Sequence, residues 1–171
     1  MRVSFFGATQ TVTGSRYLLD CSGKYLLVDC GLFQGYKNLR LKNWSRLPFE
    51  PGQIDAVLLT HAHLDHSGFL PVLVREGFRG PIYATRATIE LCHILLPDSG
   101  RLQEEQAQYA NRHGFSKHSP ALPLYTQADA LECLTRFRRV DFDEQLQVMP
   151  GVTARFSRAG HLLGAASIRV E

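Results

Sequence analysis

Thr60-His61-Ala62-His63-Leu64-Asp65-His66 places three imidazoles and one carboxylate within six positions. Imidazole nitrogen is a preferred zinc ligand, and a neighbouring carboxylate offsets the charge of the ion. In an extended segment alternate residues share a side, so His61 and His63 are placed to grip one ion. Asp65 and His66 come just before a helical pattern, Phe69–Val74, where the turn redirects them toward a second ion. They are therefore candidates for a catalytic part as well as for ligation. Two metals about 3.5–4 Å apart can polarise a phosphoryl or acyl oxygen and hold the attacking water between them. Surface histidines in a polar loop are the competing interpretation. With seven His in the chain, the pattern HxHxDH arises in about one shuffle in two thousand, and its place at a strand's end favours a metal site.

Gly160-His161-Leu162-Leu163-Gly164 lies about a hundred residues further on. A lone His between glycines is by default a turn residue. It becomes a ligand candidate because His61 and His63 form an incomplete shell, and a third imidazole gives a three-histidine set with a position left for water. Asp29 ends the apolar run Tyr25–Val28. Two roles stay open for it: acceptor in a turn, or a carboxylate behind a ligating His that fixes its tautomer.

These residues need a scaffold. Val3–Phe6, Tyr17–Leu19 and Tyr25–Val28 read as strands, the last two joined by a hairpin turn at Asp20-Cys21-Ser22-Gly23. Tyr36–Leu47 shifts to helical spacing and is broken by Pro48 and Pro51-Gly52. Ile54–Leu59 is nearly continuous in apolar residues, as a strand buried on both faces requires. Ile82–Ala84 is a further strand, and Thr85 suits the N-cap of a helix carrying Ile89, Cys92 and Leu95 that Pro97 should stop. Residues 98–120 are polar and read as a surface excursion. Thr126 to Asp129 has the form of a capping box ahead of Leu131, Leu134 and Phe137. Leu146–Met149, Val152–Phe156 and Ser167–Val170 close the chain as strands. Strands alternating with helices after residue 50 give an α/β class with mixed layers.

Composition narrows the function classes. Hydrophobic residues at 44% and charged ones at 20% exclude a disordered or collagen-like chain. A net charge of +3 is too mild to imply nucleic acid by itself. No apolar run approaches a membrane span or a secretory signal, so no membrane partner is expected. Four scattered cysteines without a CxxC pair argue against a disulfide framework and for a soluble, cytoplasmic protein. Lys37, Arg40, Lys42 and Arg46 near Tyr36 and Trp44, and Arg136, Arg138 and Arg139, are two basic clusters that suit phosphate contact or simply solvated helix faces.

The chain resembles the N-terminal part of a metallo-β-lactamase-fold protein. Within that superfamily it is similar to the β-CASP group of RNA- and DNA-processing nucleases. Within that group it most resembles the branch of the cleavage and polyadenylation specificity factor endonuclease and its prokaryotic relatives. The superfamily signature is His61–His66. The branch likeness lies in Gly7-Ala8-Thr9-Gln10-Thr11-Val12-Thr13-Gly14-Ser15, Val28-Asp29-Cys30-Gly31, Gly80-Pro81-Ile82-Tyr83-Ala84-Thr85, Pro123-Leu124-Tyr125-Thr126 and Gly160-His161-Leu162-Leu163-Gly164-Ala165.

The resemblance implies part of an αββα sandwich, with His61, His63 and His161 on one zinc and Asp65 and His66 on part of another. Asp29 would support the site from behind. The implied activity is zinc-dependent phosphodiester hydrolysis on single-stranded RNA, endo- or exonucleolytic. Family members go on to a bridging aspartate, a β-CASP lobe and later histidines. Residues 1–171 are therefore expected to be the N-terminal portion of the domain, cut off before those parts. Such a piece should hold one zinc or fewer tightly, be weak or inactive alone, and self-associate through an open sheet edge at Ser167–Val170. Two alternatives stand beside this: another hydrolase of the superfamily acting on small esters or thioesters, and a non-catalytic metal-binding assembly module.

Overall fold

The computed structural model describes all 171 residues. Strands β1 (Arg2–Phe5), β2 (Tyr17–Asp20) and β3 (Tyr25–Val28) form an antiparallel meander. Strands β4 (Ile54–Leu58), β5 (Ile82–Thr85) and β6 (Phe137–Val140) continue the sheet in parallel, so that its order is the order of the chain. A second, antiparallel sheet holds β7 (Gln145–Met149), β8 (Val152–Arg158) and β9 (Ala166–Val170). The helices are α1 (Lys37–Leu41), α2 (Leu64–Ser67), α3 (Leu70–Arg75), α4 (Arg86–His113) and α5 (Gln127–Leu134).

Two apolar cores lie on the two faces of the larger sheet. Leu27, Val57, Leu59 and Ile82 pack against Leu70, Leu73, Cys92, Leu96 and Cys133 of the helices. Leu26, Ala56, Leu58 and Val140 pack against Val148, Val152, Ala154 and Phe156 of the second sheet. The layers are thus helix, sheet, sheet. β3 and β4 are apolar at successive positions because both of their faces are covered.

The expected strands are present, and Thr85 accepts the Thr88 amide as the N-cap of α4. The Thr126–Asp129 capping box is formed in full. Three expectations are corrected. Pro97 does not stop a helix: α4 runs through it for 28 residues. An internal proline costs a helix about 3 kcal/mol, and here Leu96, Pro97 and Gly100 are buried, while Gly100 comes close enough to Thr126 and Gln127 that a Cβ would stand 2.7 Å from their backbone. Packing of α4 onto α5 outweighs the proline. The polar residues after it are the solvated face of that helix, laced by Arg101 to Asp98 (2.7 Å) and Glu105 (2.6 Å), up to Gly114, whose left-handed conformation ends it. Phe137 belongs to β6, not to the preceding helix. The helix expected over Tyr36–Leu47 is only the short α1 and one 3₁₀ turn.

β9 is paired only by β8. Its outward side chains, with those of β8, are Ser167, Arg169, Thr153 and Arg155, so that face of the second sheet is polar.

Candidate metal centre

β4 ends at Leu58, and residues 59–63 cross to α2 without regular structure. The crossing carries His61 and His63, and α2 carries Asp65 and His66. His161 arrives from the opposite sheet, on the turn between β8 and β9. The rings of His61, His63 and His161 form a triangle with centroids 4.9 to 5.0 Å apart. One nitrogen from each falls within 4.8 Å of the other two. His63 Nδ1 and His161 Nε2 are 3.2 Å apart. Asp65 Oδ2 lies 3.6 Å from His66 Nε2, and the His66 ring is 4.0 Å from that of His61. All five candidate ligands from the sequence therefore converge on one edge between the sheets.

Asp29 sits directly behind them, 1% exposed and at φ 59°, a left-handed conformation that Asp tolerates better than most residues. Its Oδ1 accepts the Thr60 amide at 2.8 Å. Its Oδ2 is 2.7 Å from His66 Nδ1. The Thr60 hydroxyl donates to the same carboxylate and lies 2.9 Å from His61 Nδ1. One buried carboxylate thus fixes His66 directly and His61 through a hydroxyl, leaving Nε2 of both rings for the cluster. Of the two roles open to Asp29, the carboxylate behind an imidazole is the one this geometry matches. Thr60 is a contributor that the sequence does not reveal, since a Thr before a His carries no distinguishing signal.

Backbone contacts set α2 against the loops on either side of β2 and β3. Ser15 N donates to the Asp65 carbonyl, Cys30 N to His66 and Leu32 N to Leu64. The approach is so close at Gly31 that a Cβ there would stand 1.6 Å from the Asp65 carbonyl oxygen. Arg16, 4% exposed, donates to the Gly31 carbonyl from Nε (3.2 Å) and Nη2 (2.8 Å) and lies over the Phe69 ring at 3.9 Å. On the other side the Gly164 carbonyl accepts from the hydroxyls of Thr85 (2.7 Å) and Thr88 (3.0 Å), which ties the His161 turn to the start of α4.

The His61 pKa is lowered to about 4, chiefly by burial, with repulsion from His66, His63 and His161 acting in the same direction and Asp65 opposing them. For His66 burial also acts downward, but the hydrogen bond and charge of Asp29 with the charge of Asp65 prevail and raise it. Three imidazoles converging with neutral His61 among them make a donor set that fits a borderline-soft divalent cation. Without a cation, such crowding only penalises protonation.

Residues 12–141 match the profile described as Metallo-beta-lactamase superfamily. The chain is 42% identical over 168 residues to Ribonuclease TTHA0252 of Thermus thermophilus, covering 98% of this chain and 34% of that protein. It is 32% identical over 166 residues to Transcription termination factor FttA of Methanocaldococcus jannaschii, at 97% and 24% coverage. With Integrator complex subunit 11 of Gallus gallus it shares 29% identity over 177 residues, at 100% and 27%. The chain therefore spans about a third or less of the length of these curated relatives. Among solved structures, a B3 metallo-beta-lactamase with an active-site glutamic acid superposes with a TM-score of 0.54 at 20% identity, over 94% of this chain and 52% of the other, a likeness of fold.

Proposed function

Because this chain belongs to the metallo-beta-lactamase superfamily, we propose that it carries the metal-binding part of a zinc-dependent phosphodiester hydrolase acting on single-stranded RNA. Its branch is the β-CASP nucleases. The observation that supports this most is the triangle of His61, His63 and His161 with Asp65 and His66 beside it, in a chain 42% identical to a protein named as a ribonuclease. His61, His63 and His161 hold one zinc. Asp65 and His66 contribute to a second and are the catalytic candidates.

When bound, the metal polarises a phosphoryl oxygen and lowers the pKa of water. The reaction adds water across one P–O bond, leaving a phosphate monoester on one product and a hydroxyl on the other. The chain's own residues orient and hold protons. Asp29 keeps the His66 proton on Nδ1, Thr60 does the same for His61, and burial keeps His61 unprotonated at its second nitrogen. Asp65, on the open side of α2, is placed to accept a proton from the attacking water. With five ligands, the chain holds one zinc or fewer tightly.

The test joins metal and substrate. Zinc titration against a chromophoric chelator should give about one tight site in the chain, abolished in His63→Ala/His161→Ala. A 5′-labelled unstructured RNA should be cut in a zinc-dependent way by the chain or by a longer protein containing it, and not by the same double variant. Zinc-dependent turnover of nitrocefin or a thioester, with RNA left whole, would point to the small-ester reading instead.

A further inference from the structure

Between Cys30 and Phe49 there is no Asp or Glu, and none between Gln106 and Ala128. These two stretches hold Lys37, Arg40, Lys42, Arg46, Arg112 and Lys117. The two stretches are far apart in sequence, yet Leu41 and Trp44 of the first and Ser116, His118 and Leu122 of the second line one groove of about 510 Å³. The cations are not in that lining but beside it in the chain, Arg40 and Lys42 flanking Leu41 and Lys117 lying between Ser116 and His118. Of the six cations only Arg46 has an acidic partner, Glu50 at 2.8 Å. The Asn111 side chain clamps the second wall to α4 by exchanging two hydrogen bonds with the Ala121 backbone. The first wall is clamped likewise by Asn43 on the Phe33 backbone.

The same two stretches present aromatic rings to solvent, of which Trp44 lines the groove. Tyr36 is 82% exposed, Trp44 61% and Phe115 72%. Tyr109, His113 and Phe115 stack in series, with centroids 4.3 Å and 5.7 Å apart. Large exposed rings are unfavourable in water unless something covers them. The groove lining itself holds no acid. Glu76 lies in the adjoining cavity that Trp44 and Leu122 also line, and the cations beside the groove outnumber the acids, a balance that attracts a polyanion. Planar rings interleaved with cations are the composition that binds single strands, bases stacking on rings and phosphates meeting cations.

We propose that this groove is a docking surface for single-stranded RNA, distinct from the histidine cluster and holding the strand that the cluster would cut. The proposal rests on the RNA-hydrolase reading for its choice of nucleic acid. The groove's first wall is continuous with the centre: Leu32 donates to the Leu64 carbonyl at the head of α2, and Asp29 precedes that wall directly in the chain.

Trp44 is the single tryptophan of the chain, so its emission reports from the groove alone. The experiment titrates the EDTA-treated protein with a fluorescein-labelled 12-nucleotide oligo(U), following Trp44 quenching and, separately, label anisotropy. Saturable quenching is expected. Trp44→Ala should weaken binding by anisotropy about tenfold, since one stacked base contributes that order. Lys37→Glu/Arg40→Glu should weaken it similarly and reduce the slope of log affinity against log salt by about 0.7 for each lost phosphate contact. Circular dichroism of each variant separates lost binding from lost folding.

RNA binding that leaves Trp44 emission unchanged and ignores both folded variants would overturn the groove while leaving the hydrolase reading intact. Preferential quenching by poly-glutamate over oligo(U) would overturn it in favour of an acidic protein partner. Quenching that persists in His63→Ala/His161→Ala, with no zinc-dependent cleavage by the chain or by a longer protein containing it, would sustain the groove and remove the hydrolase.

Discussion

Asp29 Oδ2 lies 2.7 Å from His66 Nδ1, and the other oxygen of the same buried carboxylate receives the amide of Thr60. That pairing sets the tautomer of a ring whose opposite nitrogen faces Asp65. Asp29→Asn keeps the shape and changes the proton. If its oxygen stays on the Thr60 amide, its NH₂ faces His66 Nδ1, which must then accept, so the ring proton moves to Nε2. A protonated Nε2 cannot ligate. Zinc affinity should fall about 10- to 100-fold, with the circular dichroism spectrum retained. Chelator competition measures the first, and nitrogen chemical shifts of His66 in the metal-free protein report the tautomer. Unchanged affinity would remove Asp29 from the site.

Arg16 is buried without a carboxylate, and its head group is held by the Gly31 carbonyl and the Phe69 face. Desolvation pulls its pKa down. Arg16→Lys keeps the charge but loses the fork and the flat contact with the ring. Arg16→Met leaves the Gly31 carbonyl without a buried donor, at a cost of about 1–3 kcal/mol. Both variants should lower the urea midpoint, and because Gly31 abuts Asp65, zinc affinity should fall along with it. A lower midpoint with intact zinc affinity would make Arg16 a stability residue alone.

Much of this site is legible in the amino-acid sequence, and the reasons are local. HxHxDH is contiguous, and the apolar run Ile54–Leu59 signals the buried strand end from which it springs. His161 is legible only by completing a three-ligand set, because its loop has no periodicity. Thr60, Arg16 and the Thr88 contact with Gly164 are not legible: each acts through hydrogen bonds across the fold, and nothing in its neighbourhood in sequence encodes them. The course of α4 is obscured for the opposite reason. Pro97 is a strong local signal, overridden by burial of Leu96 and Gly100 against α5, which is a tertiary effect.

The four thiols should divide by reactivity. Burial raises Cys30 to about 11 and Cys92 to about 12, and pushes Cys133 well above its ordinary value. A raised thiol pKa keeps the group protonated, and only the thiolate attacks. From pH 7 to 9 the native protein should therefore release one equivalent of thionitrobenzoate from Ellman's reagent, from partly exposed Cys21, and four in guanidinium. Mass spectrometry after alkylation at pH 8 locates the label. Fast native labelling of Cys30 would show that the loop behind Asp29 opens readily.

The His161 turn is held to α4 by one acceptor. The Gly164 carbonyl takes both the Thr85 and Thr88 hydroxyls, and Gly164 itself sits at φ 83°, with a Cβ there only 2.5 Å from Thr88 N. Thr88 is fully buried, so Thr88→Val preserves volume and removes one donor while Thr85 still satisfies the carbonyl. The stability cost should be about 1 kcal/mol. The consequence for the site should be larger in proportion, because His161 is the one member of the triangle brought by a separate sheet, and a ligand misplaced by a few tenths of an ångström no longer meets the other two. Zinc affinity should fall several-fold and zinc should dissociate faster, whereas Thr88→Ser, which restores the hydroxyl, should recover most of both. Stopped-flow transfer of zinc to a chelator measures the rate. Equal rates in wild type and Thr88→Val would mean that the turn is set by its own glycines and that the contact with α4 does not position His161.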